Sequence, residues 1–161
     1  MTKDLSSQSV DATDRSILRL LQADGRMTNA DLAERVSLSP AACHKRLRRL
    51  ETIGAIRQYV ALINPKVCGR SQIVFVQITL ERQDSEDLEA FERAVIAQPQ
   101  ILECHLMTGG FDYLLHLLVR DAEDYERIHR QVLTRLPKVA RITSSFAIRE
   151  VRRTTAIPIE A

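Results

Sequence analysis

The chain has 161 residues, of which 45% are hydrophobic and 27% charged, a composition typical of a globular protein of one or two domains. Its net charge of +2 is uneven, because residues 1–64 hold 10 basic and 7 acidic side chains and residues 65–161 hold 13 and 14. No apolar run approaches the ~20 residues that span a bilayer, and the first nine residues lack a signal-peptide core. We therefore expect a cytoplasmic protein without a membrane partner, whose basic N-terminal part contacts nucleic acid.

The first predicted element is a helix over residues 10–22. Ile17 and Leu21 lie on its apolar stripe, four residues apart. Asp11 and Asp14 fall in its first turn, where acidic side chains interact favourably with the helix dipole. The sequence therefore predicts an amphipathic first helix with an acidic N-terminal end.

Two further helices are predicted to form a helix-turn-helix. Residues 29–36 carry apolar side chains at helical spacing, and Thr28 with Asp31 has the form of a capping box. Pro40 suits the first position of the next helix, where its missing N–H costs nothing. Gly54 suits the left-handed residue that ends this helix.

The helix that begins at Pro40 is apolar on one face and basic on the other. Its apolar face is formed by Cys43, Leu47 and Leu50. Such a helix fits the major groove of DNA, although a solvated helix in an ordinary bundle is the alternative. Arg46 and Arg49 are expected at phosphates or at neighbouring acidic side chains, whereas base edges are the expected contacts of Ser39, Ala41, His44, Lys45 and Arg48. The predicted DNA-binding residues are Thr28, Ser39, Ala41, His44, Lys45, Arg46, Arg48 and Arg49.

Residues 56–63, IRQYVALI, predict a strand that completes a winged helix-turn-helix domain over residues 10–62. Asn64-Pro65 marks a boundary, and residues 63–70 are assigned to a linker. Residues 71–161 are assigned to a second domain, in which the C-terminal RRTTAIPIE is expected to add a short strand or to contact a partner subunit.

The second domain is predicted to alternate strands and helices. Strands are expected at residues 71–80, 101–107, 113–119 and 139–148, and helices at residues 87–97 and 121–136. This βαββαβ order is the ferredoxin-like arrangement, whose helices cover one face of a four-stranded sheet. The other face, formed by Tyr113, Leu115 and Leu117 or by the positions that alternate with them, predicts that two sheets associate. We therefore expect an α+β fold and a homodimer that binds pseudo-palindromic double-stranded DNA.

The cysteines and histidines offer an alternative function. The three cysteines are an odd number at wide spacing: Cys43, Cys68 and Cys104. This argues against a disulfide framework or a CxxC metal site, and Cys104 is expected to share a strand face with Leu102 and Leu106. A thiol or metal sensor that uses Cys43-His44 and Cys104-His105 remains the alternative, while no metal or cofactor is expected. No nucleophile setting or phosphate loop indicates an enzyme.

Four stretches, in order, resemble the Lrp/AsnC (feast/famine) family of transcriptional regulators: DRSILRLLQADGRMTNADLAERVSLSP, CHKRLRRLETIGAI, MTGGFDYLL and RLPKVARITSSFAI. The resemblance covers residues 10–159. It implies a DNA-binding domain, a linker and a ferredoxin-like ligand domain. It also implies dimers that assemble into octamers or related rings, with an amino acid effector bound between dimers.

The resemblance places the effector near the turn at residues 108–113. Glycine amides in such a turn are able to donate to a carboxylate. Asp112 would accept from an α-ammonium, or would fix the loop, whereas a tight hairpin that needs positive φ is the alternative for the two glycines. The implied effector-site residues are Gly109, Gly110, Asp112, Tyr113, Thr134, Ser144 and Ser145.

Overall fold

The computed structural model describes residues 10–160, which form two compact units. One unit runs up to Leu62 and includes the segment from Arg152 onward, and the other runs from Ile63 to Val151. The predicted domain limits placed the segment from Arg152 in the second domain. The structure instead attaches it to the first helix, where Gln22 Nε2 donates to the Ile157 carbonyl at 3.1 Å and Gln22 Oε1 accepts from the Ile157 amide at 2.7 Å.

The first unit is built on three helices, α1 (Ala12–Ala23), α2 (Asn29–Arg35) and α3 (Pro40–Thr52). Thr28 caps α2 as predicted, since its Oγ1 accepts from the Asp31 amide at 3.2 Å, and Ser39 caps α3, since its Oγ accepts from the Ala42 amide at 3.2 Å. Gly54 has φ +76° after α3, as expected for the residue that ends a helix. The buried core of this unit consists of Ile17, Leu32, Ala33, Cys43 and Leu50.

The predicted strand at residues 56–63 is wrong. Residues 57–64 have no regular secondary structure, and Val60, Leu62 and Ile63 are exposed. A strand needs neighbouring backbone groups for its hydrogen bonds. The one sheet of residues 10–160 pairs four other strands with each other and leaves this segment without a partner strand.

The second unit confirms the βαββαβ order. A short 3₁₀ turn (Pro65–Cys68) precedes β1 (Gln72–Leu80), α4 (Ser85–Ile96), β2 (Ile101–Leu106), β3 (Tyr113–Val119), α5 (Ala122–Gln131) and β4 (Val139–Phe146). The sheet is antiparallel, with strand order β2-β3-β1-β4. Helix α4 begins two residues earlier than predicted, because Asp84 Oδ1 accepts from the Asp87 amide at 3.0 Å and caps it. Helix α5 ends at Gln131, and Leu133–Arg135 form a 3₁₀ turn where the helix was predicted to continue.

Helices α4 and α5 cover one face of the sheet. Val74, Val76 and Ile78 of β1 and the buried Tyr113, Leu115 and Leu117 of β3 form a single core with Phe91 and Ile128 from the helices. The alternate positions of β1 and β3 make up the open sheet face, which includes Phe75, Leu114 and His116. The rings of Phe75 and His116 stack there with centroids 5.2 Å apart.

A bulge in β2 corrects the expected surroundings of Cys104. The pairing of β2 with β3 shifts between Ile101 and Glu103, so Leu102 is an extra residue in the strand. Leu102 is exposed while Cys104 packs partly against the core. The prediction that Leu102 shares a face with Cys104 and Leu106 is therefore wrong, because the extra residue reverses the alternation at that point.

Candidate DNA-binding surface and effector site

Most of the predicted DNA-binding residues are exposed, on α3 or at the starts of α2 and α3. Exposed positions include Thr28, Ser39, Ala41, His44, Lys45 and Arg48. The start of α2 is joined to the start of α3, because Asn29 Nδ2 donates to the Pro40 carbonyl at 2.9 Å. The small side chain of Ala41 and the capping Ser39 leave room for a duplex to approach the first turn.

Arg48 is the most accessible arginine of this surface. Its side chain is 71% exposed and its Nη1 lies 3.3 Å from Glu51 Oε2. Tyr59 donates from its hydroxyl to Glu51 Oε1, also at 3.3 Å, which keeps the carboxylate beside α3. Because an exposed ion pair of this kind contributes little, Arg48 is able to exchange Glu51 for a DNA group.

Arg46 and Arg49 are instead bound to acidic side chains of the first unit. Arg46 Nη1 lies 2.6 Å from Asp11 Oδ2 and 2.9 Å from Asp14 Oδ1. Arg49 Nη1 lies 2.8 Å from Asp14 Oδ2. Hydrogen bonds from the Asp14 amide and the Arg46 guanidinium lower the pKa of Asp11. Hydrogen bonds to the Asp11 and Asp14 carboxylates raise the pKa of Arg46. Of the two roles expected for these arginines, the structure shows the contact with neighbouring acids.

The sequence analysis missed the role of Asp14. It assigned Asp11 and Asp14 to the helix dipole, whereas the carboxylate of Asp14 is fully buried against α3. The sequence does indicate that Asp14 is buried, because it lies three residues before Ile17 and seven before Leu21, on the apolar stripe of α1. A carboxylate on a buried stripe requires a cationic or hydrogen-bonding partner.

The turn between β2 and β3 is fixed by Asp112, which is 6% exposed. Its Oδ2 accepts from the Leu80 amide at 2.7 Å, and its Oδ1 accepts from Gln83 Nε2 at 2.6 Å. Gly109 has φ +122°, which a residue with a Cβ rarely adopts, so this glycine serves the turn geometry. Asp112 therefore fixes the loop, which is one of the two roles expected for it; the other was to accept from an α-ammonium group.

A cleft of about 320 Å³ opens beside this turn. Its apolar walls are Leu88, Leu106 and Met107, and its polar groups come from Gln83, Thr108, Gly109 and Asp112. Among residues 10–160, no backbone carbonyl accepts from the amides of Gly109 or Gly110. The cleft thus combines apolar side chains with Gly109 and Asp112, and Gly110 follows Gly109 in the same turn.

The other predicted effector residues do not line this cleft in one chain. Tyr113 is buried under α4, where its hydroxyl donates to Glu92 at 2.8 Å, and burial with Glu92 raises its pKa. Thr134 is exposed and donates to the Arg130 carbonyl at 2.9 Å. The two serines of β4 point to opposite faces. Ser144 forms a short hydrogen bond with the Tyr125 hydroxyl on the helix side, and Ser145 pairs with Phe75 on the open face.

The surroundings of the cysteines weigh against a thiol or metal sensor. Cys43 is fully buried, and burial raises its pKa. Burial and the neighbouring Glu92 raise the pKa of Cys104 to about 11, which disfavours its reactive thiolate. Residues 10–160 contain no group of three or more His, Cys, Asp or Glu side chains arranged to bind a metal ion.

Two histidines lie beside a carboxylate at the open sheet face. Glu103 lies 3.4 Å from both His105 Nε2 and His116 Nδ1, and hydrogen bonding to His105 is the main cause of its lowered pKa. His116 is a buried residue and His105 an exposed one.

None of the helices formed within residues 10–160 is both long enough and apolar enough to cross a membrane.

Comparison with known proteins covers both units. A family model described as the Lrp/AsnC ligand binding domain matches residues 73–157, and one described as winged helix-turn-helix DNA-binding matches residues 10–57. The leucine-responsive regulatory protein of Escherichia coli strain K12 is 41% identical over 159 residues, covering 99% of this chain and 97% of that protein. The protein of the same name from Serratia marcescens is 42% identical over 153 residues, covering 95% and 93%.

Solved structures give the same result. A transcriptional regulator of Neisseria meningitidis in complex with L-Met superposes with a TM-score of 0.87 at 36% identity, covering 93% of this chain and 97% of that one. A feast or famine regulatory protein of M. tuberculosis complexed with L-methionine gives a TM-score of 0.81 at 30% identity, covering 94% and 100%.

Proposed function

The chain belongs to the Lrp/AsnC family of DNA-binding transcriptional regulators, and from that premise we propose that it responds to an amino acid bound at the turn between β2 and β3. The observation that carries this proposal is the cleft at that turn, where Gly109 and Asp112 lie beside apolar walls and the amides of Gly109 and the adjacent Gly110 have no backbone acceptor among residues 10–160. Two relatives of similar fold were solved with L-methionine, which supports an amino acid as the effector class.

The chemistry of the cleft suits an amino acid with an apolar side chain. The amides of Gly109 and Gly110 are donors for its carboxylate, and the negative charge of Asp112 favours its ammonium group. Leu88, Leu106 and Met107 would contact the side chain. Since Thr134, Ser144 and Ser145 lie elsewhere on the chain, any contact with them requires a second copy.

We infer that the open sheet face packs against that of a second copy to form a homodimer, and that the effector binds where dimers meet in an octamer or related ring. The exposed Phe75, whose ring stacks on His116, and the half-buried Leu114 supply a partly apolar surface for the first contact. A symmetric dimer would present two α3 helices to a pseudo-palindromic site. Effector binding would then alter the contacts between dimers and so the spacing of these helices.

Thermal unfolding with each of the twenty amino acids tests the effector proposal. An amino acid at about 100 times its dissociation constant adds roughly 2.7 kcal/mol, which raises the unfolding temperature by about 2–4 °C per kcal/mol for a chain of this size. In Gly110→Ala, the added Cβ meets no atom within 4 Å and the backbone φ is not positive, so the fold is kept while the methyl group occupies open space beside the amide that a ligand would need. Gly25→Ala, in the turn after α1, is the matched control because its Cβ makes only an ordinary contact at 3.8 Å.

We expect one or a few apolar amino acids to raise the unfolding temperature of the parent and of Gly25→Ala, but not of Gly110→Ala. An equal shift in all three proteins would place the effector away from this turn. The absence of a shift with every amino acid, in a protein that still binds DNA, would exclude the standard amino acids as effectors.

For DNA recognition we propose that Arg48 contacts a base edge and Lys45 a phosphate. Arg48→Ala should then weaken binding to a target duplex by about 1–3 kcal/mol and relax the preference at one position. Binding titrations with the target and with single-base variants measure both effects. A uniform loss across all duplexes would assign Arg48 to the phosphate backbone instead.

A further inference from the structure

We propose that Asp14 is a positioning residue for DNA recognition, which fixes the rotation of α3 through Arg46 and Arg49 so that these two arginines do not contact phosphates. The inference concerns the first unit alone. It depends on the DNA-binding function of the family and not on the effector proposal.

The geometry is a two-point contact with one helical turn of α3. Each oxygen of the Asp14 carboxylate accepts from a different arginine, Oδ1 from Arg46 Nη1 at 2.9 Å and Oδ2 from Arg49 Nη1 at 2.8 Å. Oδ2 also accepts from the Asp11 amide at 3.2 Å, so the carboxylate is itself fixed at the start of α1. Because Arg46 and Arg49 are about 4.5 Å apart along the helix axis, the pair restrains both the rotation and the translation of α3.

The charges of this cluster cancel. The two carboxylates of Asp11 and Asp14 balance the two guanidinium groups of Arg46 and Arg49. The third ion pair of the cluster joins Asp11 Oδ2 to Arg46 Nη1 at 2.6 Å. Moving either guanidinium to a phosphate would remove a partner from a carboxylate that is 0% exposed. The carboxylate would keep its other arginine but lose half of its compensation in a buried site, which costs more than an exposed phosphate contact returns, so the internal pairs should persist on DNA.

The restraint acts on the residues that face the groove. His44 and Arg48 lie about 100–160° around α3 from the two anchored arginines, mostly toward its opposite side. A helix rotation of about 10° moves a side-chain tip at a radius of about 6 Å by roughly 1 Å. Specific contacts tolerate about 0.5 Å, whereas attraction to the phosphate backbone does not depend on such alignment. Loss of the Asp14 contact should therefore reduce sequence discrimination more than non-specific affinity.

Asp14→Asn tests this consequence in the full-length protein. We expect the ratio of affinities for a selected target duplex and an unrelated duplex to fall roughly ten- to a hundredfold, while affinity for the unrelated duplex stays equal or rises. Ile17→Val, a core change one turn further along α1, is the control for lost stability and should keep the ratio. A folded Asp14→Asn with an unchanged ratio would overturn the proposal.

A second measurement decides the matter even if Asp14→Asn does not fold. The slope of log affinity against log salt falls by about 0.9 for each phosphate contact removed. We expect Lys45→Gln to lose about 0.9 of this slope, and Arg46→Gln and Arg49→Gln to leave it unchanged while they reduce the target-to-unrelated ratio. A slope loss of about 0.9 in either arginine variant would assign that arginine to a phosphate and overturn the proposal.

Discussion

Replacement of Asp112 by alanine should destabilise the second unit far more than its place in a surface turn implies. The carboxylate accepts from the buried Leu80 amide at 2.7 Å and from Gln83 Nε2 at 2.6 Å. A hydrogen bond to a charged group contributes about 1.5–3 kcal/mol, and an unsatisfied buried amide costs about 1–3 kcal/mol. Because Gln83 is exposed and is able to bind water instead, we expect Asp112→Ala to lower the free energy of unfolding by about 3 kcal/mol.

Urea unfolding followed by circular dichroism measures this loss. Asp84→Ala is the control, since its carboxylate caps α4 at an exposed position and its removal should cost only about 1 kcal/mol. Asp112→Asn should cost less than Asp112→Ala, because an amide oxygen still accepts from Leu80 and the Gln83 amide is able to rotate. If Asp112→Ala costs no more than Asp84→Ala, the carboxylate does not hold the turn and the structural argument fails.

Three further predictions follow from other contacts. The hydrogen bond from Arg127, and after it the one from the Arg120 amide, lowers the pKa of Asp124. The ionised Asp124 therefore stabilises the fold fully above the ordinary carboxyl pKa of about 3.9, and this stabilisation is lost as the pH falls through the lower pKa of the folded state. The gap in unfolding free energy between parent and Asp124→Asn should therefore be full at pH 6 and vanish in strong acid, as acid and urea titrations would show. In a thiol titration at neutral pH, exposed Cys68 should react at once, and the cysteines with raised pKa values only after denaturation. Gln22→Ala should loosen the segment from Arg152, which Arg19 Nη1 also holds at the Glu160 carbonyl at 3.1 Å, and so speed tryptic cleavage there. An unchanged cleavage rate would show that the Gln22 hydrogen bonds do not hold it.

The parts of the fold that the sequence predicted depend on neighbouring residues. The start of α3 follows from Ser39 and Pro40, and its end from Gly54, because capping and left-handed backbone are local properties. The strand expected at residues 56–63 failed for the opposite reason. Its apolar residues suit a strand, but strand formation depends on a partner strand, and residues 10–160 provide none there.

The candidate sites divide in the same way. The exposed face of α3 was predicted because helical spacing places Ala41, His44 and Arg48 together. The buried environment of Tyr113 was not predicted. Alternation along β3 identifies two sets of side chains, but it does not show which set the helices cover. The bulge at Leu102 was also hidden, because it is defined by the register of β2 against β3.

The two buried carboxylates, Asp14 and Asp112, differ in whether a cationic side chain pairs with them. Asp14 is paired with arginine guanidinium groups, so its charge is cancelled and only its geometry acts on DNA recognition. Asp112 accepts from a backbone amide and a neutral side chain, and no ion pair within residues 10–160 includes it. A cationic group of a ligand in the cleft would therefore gain an interaction with this carboxylate that no side chain of residues 10–160 provides. An amino acid with its ammonium toward Asp112 and its carboxylate toward the glycine amides satisfies both kinds of group at once, which an uncharged ligand of the same shape cannot do.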